Sequence, residues 1–255
     1  MSINIDLSNK TALVTGATGD LGRVITRTLA AAGAAVVVHY NNNGEKAAEL
    51  CAGVQAAGGK ALAVQADVTD AGSVFAMRDT VAAKFGVPQI IVNNAVVQYQ
   101  WTSVLEQAEE DYESQFRSCV LQNVLMAKAF VPAMIGRGWG RVIAINTECA
   151  MQCAPSQSAY VAGKRGMDGV LRVLAREVGG CGVTVNQVAP GWMISDRDRA
   201  AGTQRQPGYE SSVPLGHRGE DQEIANAVLF LASDLAGFIT GAYLPVCGGN
   251  VMPAI

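Results

Sequence analysis

The chain is poor in the residue types that announce a metal centre or a nucleic-acid surface. Its 255 residues include two histidines, His39 and His217, and six cysteines at 51, 119, 149, 153, 181 and 247, none of them in a C-x-x-C pair. Such a set makes a zinc site unexpected, and no metal is assigned. Most of these thiols are expected to be buried apolar fillers in a reducing compartment, with Cys119 set apart below. Charged residues make up only 16%, the net charge is −3 and the sequence pI is about 5.4. A basic footprint for nucleic acid is therefore missing. The first residues carry neither a positive stretch nor a long apolar run, so no secretory signal is read. No apolar segment is read as long enough to span a membrane, and the cytoplasm is the expected location.

What the chain does have is apolar mass and glycine: 49% hydrophobic residues and 28 glycines. Short β-rich runs alternate with longer helical stretches. Strands are expected over 10–15, 35–38, 61–65, 90–93, 141–145, 184–188 and 242–246. Helices are expected over 20–32, 45–57, about 70–85, 109–135, 158–179 and 222–232, with Ser158 as a cap. The strand segments are continuous apolar runs, as in strands covered on both faces, and the helices between them imply parallel crossovers. This predicts an α/β fold with one doubly wound parallel sheet. No repeat or linker divides the chain, so residues 1–255 read as a single domain. The long irregular stretch over about 189–221 reads as a substrate lid.

Thr15-Gly16-Ala17-Thr18-Gly19-Asp20-Leu21-Gly22 leaves the first strand and enters a helix. Glycines there permit a tight turn and close approach to a pyrophosphate, whose charge the helix N-terminus favours. Asp67-Val68 and Asn93-Asn94-Ala95 follow the third and fourth strands. All three lie where an open parallel sheet binds its ligands. Tyr160 and Lys164 stand four apart on one predicted helix and share a face. A nearby ammonium favours a phenolate, which suits the pair to proton transfer.

The order Thr-Gly-x-x-Gly-x-x-Gly, Asp-Val, Asn-Asn-Ala, Tyr-x-x-x-Lys, Pro-Gly and an ending over Phe238 to Gly249 resembles the short-chain dehydrogenase/reductase family across essentially the whole chain. The resemblance implies a single Rossmann-like domain, a homotetramer or dimer, and NAD(P)-dependent hydride transfer between a carbonyl and a secondary alcohol on a small molecule. It casts Tyr160 as general acid/base, Lys164 as its partner and a holder of the nicotinamide ribose, and Thr147 in the place of the usual serine. Cys119 falls where the family carries an asparagine whose backbone carbonyl holds a relay water. It reads as a weakened relay, a neutral filler or a marker of changed chemistry. Cofactor contacts are expected from Gly16, Thr18, Gly19, Leu21, Gly22, Asp67, Val68, Asn93, Ala95, Tyr160, Lys164, Pro190, Gly191 and Ser195. The turn departs from the family's commonest form at Asp20, and Val96 stands where glycine is usual.

After the second strand come Val38-His39-Tyr40-Asn41-Asn42-Asn43, with no carboxylate. An acid there would accept the ribose hydroxyls of NAD, and its lack favours NADP(H) over NAD(H), with Tyr40, Asn41 and Asn42 as contacts. His39 and Tyr40 read equally as a half-buried strand end. A largely apolar substrate pocket is expected around Gln98, Trp101, Glu148, Gln152 and Trp192. Glu148 is read as an outward, solvated carboxylate, with a role toward a cationic or hydroxyl-rich substrate as the alternative. Two rival functions stand beside this one: a non-redox lyase or dehalogenase on the same scaffold, and a weakly catalytic cofactor-binding protein.

Overall fold

The structure, a computed structural model, describes residues 4–253. Seven strands, β1 Thr11–Val14, β2 Ala35–Tyr40, β3 Ala61–Gln65, β4 Ile90–Asn93, β5 Gly140–Ile145, β6 Val183–Pro190 and β7 Tyr243–Val246, form one sheet in the order β3-β2-β1-β4-β5-β6-β7. All pairings are parallel. The order reverses between β1 and β4, and the crevice outside their C-terminal ends is where such a sheet takes a ligand.

Strand side chains alternate faces, and two cores result. Ala12, Val14, Val36, Val38, Ile90, Val92, Ile143 and Ile145 face helices α1 (Asp20–Ala31), α2 (Gly44–Ala56) and α10 (Asp221–Ala232), through Ile25, Leu29, Leu50, Ile224 and Val228. Leu13, Val37, Ile91, Val142 and Ala144 face α3 (Ala71–Phe85), α5 (Gln122–Arg137) and α7 (Ser158–Val178), through Met77, Met126, Phe130 and Met167. Each fully buried large side chain contributes about 1.5–3 kcal/mol. This explains why the strands read as unbroken apolar runs.

The expected elements are present with ends moved by a few residues. One expected helix differs in kind. The stretch read as 109–135 starts as α4 (Glu109–Gln115), widens into a π-helical turn at Phe116–Leu121, and continues as α5. The span Glu109–Arg137 is also long and apolar enough to cross a membrane, contrary to the sequence reading. Its apolar side is spent inside the protein, where Met126, Ala129, Phe130 and Met134 join the second core.

The segment read as an irregular lid contains two short helices, α8 (Asp196–Ala201) and α9 (Pro207–Glu210), after β6 has run on to Pro190. A last short helix, α6 (Cys149–Gln152), follows β5. Of the six cysteines only Cys51, Cys119 and Cys247 are buried; Cys153 is exposed. With Cys119 set apart, only Cys51 and Cys247 of the other five fit the filler reading, which does not hold for most of them.

Candidate active site

Two cavities open at the C-terminal ends of the strands. The first, about 610 Å³, runs from the glycine turn past Asn41, Asn42, Asp67 and Val68 to Thr147, Tyr160 and Lys164. The second, about 560 Å³, holds Gln98, Trp101, Glu148, Gln152 and Trp192. Thr147 and Tyr160 belong to both, as part of a shared wall with Leu21, Val97, Gln98 and Gly191.

The glycine turn is built for close approach. Gly16 has φ +61°, which favours glycine, and a Cβ on Gly22 would lie 2.2 Å from the Gly16 carbonyl oxygen. Helix α1 starts without a side-chain cap, so its first N–H groups face the cleft unclaimed. These features fit a dinucleotide phosphate. Beyond it, the Ser118 hydroxyl is buried on the cleft wall with no hydrogen-bond partner among the described residues.

Several groups that hold this turn were not legible as such. The Gly16 N–H donates to His39 Nδ1 at 3.0 Å, and His39 Nε2 meets the Ala66 carbonyl at 3.0 Å. His39 is fully buried, and burial lowers its pKa to about 4, so it is a neutral strut. Tyr40 turns away from the cleft, packs on the first core and covers Gly44; it makes no part of the cavity wall. Asn94, not Asn93, lines the cleft, and its amide donates to the carbonyls of Thr15 and Gly16 at 3.0 and 3.2 Å. Asn93 is buried and donates to Asn123 Oδ1 at 2.7 Å. Thr15 Oγ1 accepts the N–H groups of Asn94 and Ala95 and donates to Gln122, which in turn donates to the Ala95 carbonyl.

Lys164 is buried, and its Nζ donates to the Ile145 carbonyl at 2.6 Å. Burial pushes its ammonium down. Burial likewise pushes the Tyr160 phenol well up, while the Thr147 hydroxyl opposes that shift. Lys164 Nζ lies 5.6 Å from the Tyr160 ring centroid. With its ammonium drawn toward Ile145, Lys164 does not here lower the phenol as the spacing alone suggests. Asn146 braces the pair's backbone: its amide donates to Gln187 at 2.6 Å and to the Lys164 carbonyl at 3.3 Å.

Ser158 does not cap α7. Its hydroxyl pairs with Tyr112 at 2.7 Å, and the free Tyr160 N–H of the first turn goes to the Tyr99 hydroxyl at 2.8 Å. Trp101 stacks on the Tyr160 ring, with centroids 5.9 Å apart.

Cys119 sits in the π-helical turn, buried and off both cavities. Its carbonyl accepts from Asn123 Nδ2 at 2.7 Å. The amide missing at 119 is thus supplied from Asn123, one turn on, to the same stretch of distorted backbone.

Ser195 lies on the substrate pocket rather than the nucleotide cleft and caps α8 in a reciprocal box with Asp198. Pro190 and Gly191 line the cleft, and Cys247 packs directly beneath Gly191. Val96 also lines it. Asp20 borders both cavities and pairs with Arg23 at 3.6 Å.

Glu148 corrects the sequence reading most. It is 4% exposed, not solvated, and accepts from Tyr209 at 2.8 Å and Asn250 at 3.0 Å.

Residues 16–250 match the sequence-family profile described as enoyl-(acyl carrier protein) reductase. The chain is 37% identical to the 3-oxoacyl-[acyl-carrier-protein] reductase FabG of Escherichia coli (strain K12) over 248 residues, 97% of this chain and 100% of that one. It is 35% identical to the protein of that name from Staphylococcus aureus (strain Mu50), over 95% of this chain and 98% of that one. Among solved structures, a gluconate 5-dehydrogenase from Burkholderia cenocepacia, in complex with NADP and tartrate, superposes with a TM-score of 0.88 at 29% identity, covering 96% of both chains.

Proposed function

The chain belongs to the short-chain dehydrogenase/reductase family, as a nicotinamide-dependent oxidoreductase working between a carbonyl and an alcohol, and we propose that Tyr160 carries the proton of that reaction with NADP(H) as the preferred cofactor. The observation that carries the reading is the shared wall: Tyr160 and Thr147 border the nucleotide cleft and the substrate pocket at once. Their hydroxyls are placed where a group bridging the two cavities can meet them.

The glycine turn from Gly16 to Gly22, Asp67, Val68, Asn94 and Ala95 would hold the nucleotide, and Lys164, Pro190 and Gly191 its nicotinamide half. Bound there, the nicotinamide supplies or accepts a hydride. The chain's own share is orientation and the proton. In reduction the Tyr160 phenol gives its proton to the carbonyl oxygen while the Thr147 hydroxyl steadies that oxygen. Burial keeps the phenol protonated, which suits donation. Oxidation of an alcohol calls on the phenolate. Lys164, which would hold the ribose of a bound nicotinamide, would favour that form with its ammonium.

The NADP(H) preference rests on the amides of Asn41 and Asn42 on the cleft wall, where no carboxylate opposes a 2′-phosphate. His39 is neutral, and Lys164 is the one cationic side chain on that wall among the described residues, so the preference is modest. The segment over about 189–221 acts as a lid on this single domain. A homo-oligomer, tetramer or dimer, is in keeping with apolar side chains left open on helix surfaces, such as Phe116 and Val173. The cytoplasm is the proposed compartment.

The test is a titration with NADPH and NADH followed by nicotinamide fluorescence, then turnover on a carbonyl panel. NADPH binding several-fold tighter, with turnover lost in Tyr160→Phe, is the expected result. Binding of neither cofactor would overturn the reading.

A further inference from the structure

We propose that the substrate is a carbonyl compound that carries hydrogen-bond donors and no negative charge, and that Glu148 is the residue that selects it. This rests on the oxidoreductase reading above.

The substrate pocket is lined by no lysine or arginine among the described residues, yet Asp20, Glu148 and Asp221 all border it. Glu148 is buried on the segment that also carries Thr147, and it differs from Asp20 and Asp221, which lie 3.6 Å from Arg23 and Arg199. No cation pairs with it; its oxygens accept from Tyr209 at 2.8 Å and Asn250 at 3.0 Å, with the Trp192 N–H also turned to it. A carboxylate has room for about four donors, so it is not filled. Tyr209 has no proton left for a ligand, because its hydroxyl donates to Glu148 while accepting the Trp192 N–H at 2.9 Å. Gln157 adds a buried amide oxygen with no partner.

Glu148 is thus a buried carboxylate on this cavity with no cation beside it, and the hydroxyls of Tyr160 and Thr147 are reserved for the reacting oxygen. A ligand completes the pocket by bringing hydroxyl or ammonium hydrogens. Trp101 and Trp192 offer apolar faces beside those acceptors. A carboxylate or phosphate on the ligand would lose its water against Glu148 and gain no cation. In this the pocket differs from one made for an organic acid such as gluconate.

The experiment compares three ketones of matched size under NADPH: a neutral hydroxyketone, an amino ketone and a keto acid. Binding is read separately by quenching of Trp101 and Trp192 fluorescence with the matching neutral, amino and acid alcohols. That reading needs no turnover, so a failure of the oxidoreductase reading does not touch it. The expected result is kcat/KM and affinity at least about tenfold lower for the acid than for the neutral compound. Glu148→Gln should narrow that gap. If the ammonium is the donor, the same change should also weaken the amino compound, whereas a hydroxyl donor leaves the amino and neutral compounds alike. Should Glu148→Gln not fold, Gln152→Lys, a change at an exposed position on the pocket rim, should bring the acid up by several-fold. Acid compounds that bind and react as well as neutral ones in the unaltered enzyme would overturn the proposal.

Discussion

The Tyr99 hydroxyl accepts the backbone N–H of Tyr160 at 2.8 Å, so Tyr160 is held by its main chain from a loop, not by a cap within its own helix. Removing that hydroxyl leaves an orphan N–H in a half-buried first turn. Tyr99→Phe should cost about 1–3 kcal/mol in denaturant unfolding and lower kcat with little change in cofactor affinity. Unaltered stability and turnover would mean that water replaces the hydroxyl without loss.

Tyr160→Phe keeps the ring beside Trp101 and removes the hydroxyl that carries the proton. Turnover should fall by about 10²–10⁴-fold while NADPH still binds. Because burial raises this phenol, reduction should hold level through neutral pH and alcohol oxidation should climb as pH rises into the alkaline range. A pH-rate study in both directions checks the sign; oxidation fastest under acid conditions would contradict it.

Gly22→Ala places a methyl where 2.2 Å separates the Cβ from the Gly16 carbonyl. The turn must open, and NADPH affinity should fall at least about tenfold, since backbone close approach is what the glycine supplies. Gly19→Ala is its control, for a Cβ there would sit at 3.5 Å from the same oxygen. Fluorescence titration of both variants separates crowding from a general loss of helix α1.

His39 has its pKa lowered from 6.5 to about 4 by burial. Between those values the unfolded chain binds a proton that the folded chain refuses. The stability this group contributes is thus complete above pH 6.5 and is lost as pH falls toward 4, a difference of about 3 kcal/mol. Melting curves over that window should show a decline that flattens in His39→Gln, with Tm of the variant lower at pH 7.

Arg23 on α1 pairs with Asp196 on α8, and the Asp196 N–H reaches Asp20 at 3.4 Å. These groups are partly exposed, so Asp196→Asn should shift stability by no more than about 1 kcal/mol. The expected effect is on KM, through a looser lid. A large loss of stability with KM unchanged would assign the pair to folding instead.

The sheet and the glycine turn were legible because their signals are local: apolar runs, a glycine pattern between strand and helix, and a four-residue spacing from Tyr160 to Lys164. What stayed hidden depends on distant partners. Glu148 reads as a surface acid until Tyr209 and Asn250, 61 and 102 positions away, close over it. Ser158 reads as a cap until Tyr99, 61 positions from Tyr160, takes that N–H. Asn93 and Asn94 are adjacent and alike, and only the alternation of a strand end sends one into the core and the other to the cleft. The role of Asn123 was within reach, since an amide four residues after a helical carbonyl can bond back to it.

Because all seven strands point one way, each described ligand contact gathers at one rim of the sheet. The other rim, with the turns near Gly58, Gly86 and Gly138, carries none of the site residues described above. That rim is where a tag, a surface anchor or an inserted peptide can be grafted away from the site. The molecule is in this sense a chassis and an instrument panel in one chain, and each can be rebuilt while the other is left alone.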